Sequence, residues 1–239
     1  MNLFGDAISW LDDRAHWRGD QGLIHLTVLH LRVTGLALLI ALVVGLVLGV
    51  GLGHLRRGGV AVTVIANVSR AVPTIGLLYL LATAPQFGVN PRTAVIALAL
   101  FAIPPILTNA YTGVATVDPE AVEAARGLGF REGQVLTRVE LPLALPLIAA
   151  GIRNSVLQTF ATATLASYVG NATLGTLIQV GQATQKQDQV LGAAIVIAVL
   201  AVLLDVVLGR LQAAVTPGPV PSRFAFLRRH TAPTPAVAE

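Results

Sequence analysis

The 239-residue chain is 54% hydrophobic and only 12% charged, with a mean hydropathy of +0.74, whereas a soluble domain carries about 25% charged residues. It is an integral membrane protein, and an ordinary soluble enzyme is excluded. A pI near 10.3 could signal nucleic acid, but the basic residues are scattered through short loops, as in the cytoplasmic loops of a membrane protein. There is no cysteine, so a disulfide, a thiolate nucleophile and an iron–sulfur cluster are excluded too.

Residues 1–22, with Asp6, Asp12, Asp13 and Asp20 and no continuous apolar run, are read as an external N-terminal segment and not as a cleavable signal peptide. A hydrocarbon core about 30 Å thick needs about 20 apolar residues per helix, which five segments supply. The first runs from about Leu23 to Leu52, with His25, His30 and Arg32 at the outer interface and a stripe of Gly45, Gly49 and Gly53 suited to close helix packing or dimerisation. The second, Val60 to Ala84, contains Arg70 and the helix breaker Pro73; Arg70 either lines a path through the membrane or snorkels to the inner interface. The third runs from Thr93 to Val114. The fourth, Leu143 to Val169, carries Thr159, Thr162, Thr164 and Ser167, whose hydroxyls either face a polar path or bond back to their own helix. The fifth, Val190 to Leu211, ends with Asp205 and Arg210, read as interfacial. Residues 213–239, rich in proline, form a tail expected to be disordered.

Between the third and fourth spans lies the one long polar loop, residues 117–142. Asp118 before Pro119 is a helix start, and Gly127 and Gly129 suit its end. Ala121, Ala124, Ala125 and Leu128 fall on one flat apolar face, with Glu120, Glu123 and Arg126 opposite. Small side chains let a partner's backbone come close, so the segment reads as a docking helix. Pro142 then restricts how the next helix begins.

The order of residues here is Glu123-Ala124-Ala125, three residues, Gly129, nine residues, Val139, one residue, Leu141-Pro142. This pattern resembles the cytoplasmic Glu-Ala-Ala loop of type I ABC importer permeases. Ser69-Arg70-Ala71-Val72-Pro73-Thr74, the stretch from Ile103 to Gly113, and Gly151-Ile152-Arg153-Asn154 with Ala163-Thr164-Leu165-Ala166 look like segments of the osmoprotectant branch, which handles glycine betaine, carnitine, choline and proline. Arg70, Thr108 and Asn171-Ala172-Thr173 depart from that branch's usual residues.

The resemblance implies an all-α polytopic bundle over residues 23–212 in a bacterial cytoplasmic membrane. It implies a second permease chain, identical or related, an extracytoplasmic substrate-binding protein, and two ATPase subunits docked on the loop. Glu123, Ala124, Ala125, Gly129, Val139, Leu141 and Pro142 are the expected coupling residues, and Arg70, Pro73, Asn109, Thr162 and Thr164 are candidates for the path. The chain itself is expected to be no enzyme and to hold no cofactor or metal. A P-loop needs lysine after glycine, but the one lysine, Lys186, follows Gln185, so ATP and Mg belong on the partner ATPase. His16, His25, His30, His54 and His230 are too dispersed for a metal centre.

Charge sets the orientation. With the docking loop inside, nine arginines (56, 57, 126, 131, 138, 210, 223, 228 and 229) lie in the cytoplasm, against four basic residues outside (Arg14, Arg18, Arg92 and Lys186). The N-terminus is expected outside and the C-terminus inside. Two other readings remain at this level: a permease for methionine or another amino acid, and an ATP-independent channel or secondary transporter.

Overall fold

The computed structural model describes residues 2–216, which fold into ten α-helices with short 3₁₀ and π turns and contain no strand. Four helices are long and apolar enough to cross a bilayer: α2 (Leu23–His54), α5 (Pro91–Ala115), the continuous run Glu132–Val169 containing α7 (Glu132–Val135) and α8 (Leu141–Thr162), and α10 (Gln187–Val215). The pair α3 (Gly59–Ala71) and α4 (Thr74–Thr83) is long and apolar enough only when the two are taken together, and it bends by 89° at the break between them. The short helices are α1 (Leu3–Asp12), α6 (Pro119–Gly127) and α9 (Leu174–Ala183). The expected all-α membrane bundle is therefore the fold.

The most extensive helix contact joins α2 and α5. Lipid tails are as apolar as leucine, so spans associate by close packing, and small residues make that possible. At Gly45 a Cβ would sit 2.9 Å from Ile106, at Gly49 2.7 Å from both the Ala110 Cβ and the Leu107 carbonyl, and at Gly53 2.9 Å from Val114. The glycine stripe thus packs within the chain. Helix α8 approaches the other side of α5 in the same way, where Gly113 faces Ala144 and Gly151 lies against Asn109 and the Pro105 carbonyl. A seam of small buried residues, including Ala37, Ala41, Ala97, Ala102, Ala110 and Ala144, runs down this three-helix scaffold.

Several local expectations change. The second span is not one straight helix, because Pro73 has no N–H to bond back and drives Val72 into an extended conformation (φ −78°, ψ 120°). The fourth span begins well before Leu143. The chain is already helical at Glu132, and a π turn over Leu136–Glu140 carries it through Pro142 without a break, with the Leu141 N–H bonding the Leu136 carbonyl. The last span continues to Val215, and the remainder of the tail, from residue 217, lies outside the described residues.

His30 is fully buried, not interfacial: a ring nitrogen lies 3.0 Å from the Phe160 carbonyl and the ring meets Phe160 edge-on. Asp205 pairs across the bundle with Arg153 at 2.7 Å, while Arg210 is exposed. The N-terminal segment contributes a helix, α1, whose Trp10 fills a pocket with Leu23, Leu26, Leu174 and Ala193 and lies against Gly192.

The α2–α5 contact makes a direct prediction. Gly49→Ala forces a Cβ onto Ala110 and the Leu107 backbone and costs about 1–3 kcal/mol, the usual range for overpacking. Gly51→Ala, with open space at the same helix level, costs nothing. Thermal unfolding in detergent checks this: a lower Tm for Gly49→Ala alone is expected, and equal Tm values would contradict the packing.

Candidate functional site

Two candidate sites emerge, the short helix α6 at one end of the bundle and a polar cleft within it. Helix α6 is fixed at both ends by its own sequence. The Asp118 carboxylate accepts the Glu120 N–H at 2.9 Å, and Pro119 occupies the first helical position. At the other end Gly129 takes φ +85°, the Gly129 N–H bonds the Arg126 carbonyl at 2.9 Å and the Phe130 N–H bonds the Ala125 carbonyl at 3.1 Å. This is a Schellman cap, and it needs a residue free to be left-handed at position 129.

The buried face of α6 differs from the sequence expectation. Val122 and Ala125 point inward onto Val117 and Val135, with Phe130 and Val139 alongside. Ala124 and Leu128 point away, and Leu128 is 79% exposed. The helix therefore has an anchoring face built on Val122, which the flat alanine stripe concealed, and a free apolar face. Of the seven motif residues, Ala125 and Val139 anchor the loop, Glu123 and Ala124 face outward, Gly129 caps the helix, and Leu141 and Pro142 lie inside the next one.

A polar chain ties this loop to the first span. Arg126 of α6 donates two hydrogen bonds to Glu132 at 2.9 and 3.0 Å. Glu132 in turn lies 3.6 Å from the His54 Nε2 at the end of α2, and the His54 Nδ1 meets Glu140 at 2.5 Å. Glu140 sits in the π turn and is 1% exposed. Beside this, Arg56, in a left-handed conformation, donates to the Val117 carbonyl at 2.9 Å. His54 and Glu140 were not legible as partners, being 86 residues apart. The available signal was Glu140 itself, an acid set between Val139 and the apolar run that starts at Leu141.

The second site is a cleft of about 420 Å³ between α3, α5 and α8. Its polar lining is Ser69, Arg70, Thr108, Asn109, Asn154 and Gln158, and Phe101 adds one aromatic ring. Pro104 and Pro105 also line it, and by lacking N–H groups they leave the Leu100 and Phe101 carbonyls without their usual helical donors. The Asn109 amide donates to the Pro105 carbonyl at 2.8 Å, while the Thr108 hydroxyl is enclosed with no partner.

Among the candidate path residues, Arg70 and Asn109 meet in this cleft, and Pro73 makes the break in the chain just beyond Arg70. Thr162 and Thr164 do not line it. Their hydroxyls bond the Gln158 and Ala161 carbonyls at 2.8 Å, the local alternative raised by the sequence.

Comparison with known proteins places this geometry. Residues 41–219 match the family model described as "Binding-protein-dependent transport system inner membrane component". The chain is 33% identical over 195 residues to the glycine betaine/carnitine/choline transport system permease protein OpuCB of Bacillus subtilis, covering 82% of this chain and 89% of that one. It is 35% identical over 188 residues to the carnitine transport permease protein OpuCB of Listeria monocytogenes, covering 79% and 85%. It is 32% identical over 215 residues to the osmoprotectant import permease protein OsmW of Salmonella typhimurium, covering 89% and 98%. Among solved structures, a chain of the MetNI methionine ABC transporter in an inward-facing conformation superposes with a TM-score of 0.71 at 22% identity, covering 82% of this chain and 96% of that one, a likeness of fold.

The polar chain beneath α6 yields a stability prediction. His54→Leu leaves the buried Glu140 carboxyl group without its partner and costs about 1–3 kcal/mol. Adding Glu140→Leu removes the stranded group and recovers most of the loss. Unfolding of the two variants in detergent measures both effects, and a double variant no better than the single one would contradict the pairing.

Proposed function

Because the chain belongs to the family of inner-membrane components of binding-protein-dependent transport systems, we propose that it forms one half of the pore of an ATP-driven importer of small compatible solutes. The solute class is that of glycine betaine, carnitine and choline, which the names of the relatives support, with proline added by the resemblance of the sequence to the osmoprotectant branch. Five spans enclose no pathway by themselves, so a second permease chain, identical or related, completes the cavity. A substrate-binding protein delivers solute outside. ATPase subunits, carrying the ATP and Mg, dock inside.

The observation that carries this reading is α6. A nine-residue helix capped at both ends, anchored through Val122 and Ala125, and offering Ala124 and Leu128 to the outside has the form of a rigid lever. Closure of an ATPase dimer on ATP would push two such helices together. The motion would pass through Arg126, Glu132 and His54 into α2, and through the π turn into α8, turning the cavity outward. Nucleotide thus biases two conformations of one scaffold. The nine-to-four distribution of basic residues supports the placement of this loop in the cytoplasm and the N-terminus outside.

Two experiments check it. Reporters fused after Arg57 or near Gly133 are expected in the cytoplasm, and one near Gln185 outside; the inverse pattern overturns the orientation. Gly129→Asp strains the left-handed cap, and Glu123→Lys reverses an exposed charge on α6. Both variants should insert normally yet lose most ATP-driven uptake. Full uptake in both would remove α6 from the coupling pathway.

A further inference from the structure

Arg70 is the one charged residue lining the cleft, which contains no acid. Among the described residues it forms no ion pair. It is the twelfth residue of α3, roughly 17 Å along the helix axis from its start and three residues before the break at Pro73, inside an apolar helix pair long enough to enter the hydrocarbon core. A cation at that depth is retained where it faces a polar cavity or an opposite charge, and such residues mark substrate pathways. Here the cavity is present, with neutral hydrogen-bonding groups on all three walls, and the opposite charge is not.

We propose that the missing charge is the carboxylate of a zwitterionic solute, which Arg70 receives in the cleft, so that the permease itself prefers carboxylated solutes to the bare cation choline. This rests on the compatible-solute reading and narrows it. The cleft is large enough, since ligand pockets run from about 300 to 1,000 Å³ and this one holds about 420 Å³. On the opposite wall the accessible amides of Asn154 and Gln158 supply further donors for the carboxylate. For the quaternary ammonium end there is one ring, Phe101, which offers weak attraction by itself. Choline has only that end, and Arg70 repels it. A zwitterion has both, and its carboxylate pairs with the Arg70 guanidinium. The binding expected is weak, because a translocation site must release what it admits.

The test uses the purified permease–ATPase complex in nanodiscs, without receptor, and saturation-transfer NMR with glycine betaine and choline as probes at millimolar concentration. Glycine betaine should bind about tenfold more tightly than choline, the scale of one charge-assisted hydrogen bond. Arg70→Gln should abolish the preference while choline binds as well as before or better, and Arg70→Lys should retain it. Asn154→Leu should weaken glycine betaine several-fold and leave choline unchanged, which keeps the site testable if Arg70→Gln fails to fold. Equal affinities, no binding of either probe, or a preference that survives Arg70→Gln overturns the assignment. ATP-driven uptake by the complete system separates the two levels: uptake of glycine betaine without the preference sinks only the role of Arg70, and uptake of neither solute sinks the compatible-solute reading.

Discussion

The close approach of α2 to α5 is the constraint on which both sites depend. In water, two apolar helices would be driven together whatever their surface; in lipid they must fit, and Gly45, Gly49 and Gly53 let the α2 backbone reach Ile106, Ala110 and Val114. With α8 held to the opposite side of α5 at Gly113 and Gly151, three helices form a scaffold with little room to shift. The cleft occupies the side of this scaffold where α3 is added, and its prolines are tolerated because α5 is supported on both flanks. The docking loop emerges from its end.

That emergence is where packing gives way to polar contacts. Outside the apolar seam, α6 is held by a small core around Val122 and Val135 and by the sequence of contacts Arg126, Glu132, His54 and Glu140. The members differ in exposure. Arg126 and Glu132 face solvent, where an ion pair contributes little to stability, typically under about 1 kcal/mol. Glu140 is enclosed, so its contact with His54 carries a larger penalty if broken. The contacts that hold the loop are thus strongest where Glu140 is enclosed and weakest at the solvent-facing Arg126–Glu132 pair.

The spans were legible because hydrophobic length is a summed property that survives local irregularity. Their interruptions were not. Pro73 was recognisable as a breaker, yet hydropathy says nothing of direction, and the 89° turn it allows became visible only with α4 in place. Polarity hid the start of the fourth span, since Glu132 to Glu140 read as loop while folding as helix and π turn. In the docking loop both caps followed from Asp118, Pro119 and Gly129, because caps depend on neighbours in sequence. The inward face did not follow, because Ala121, Ala124, Ala125 and Leu128 make a neat stripe, whereas Val122, which anchors the helix, lies beside it and Leu128 faces out. Contacts between distant residues, His54 with Glu140 and Arg153 with Asp205, were beyond any local pattern.

The central claim is that the free face of α6 meets an ATPase subunit. The chain has no cysteine, so a single introduced thiol carries a photo-crosslinker to one known place. In the assembled complex, a probe at Leu128→Cys or Ala124→Cys should form an adduct with the ATPase, and one at Arg18→Cys, at the opposite end of the bundle, should not. Adducts from Arg18→Cys, or none from either α6 position, would contradict the account.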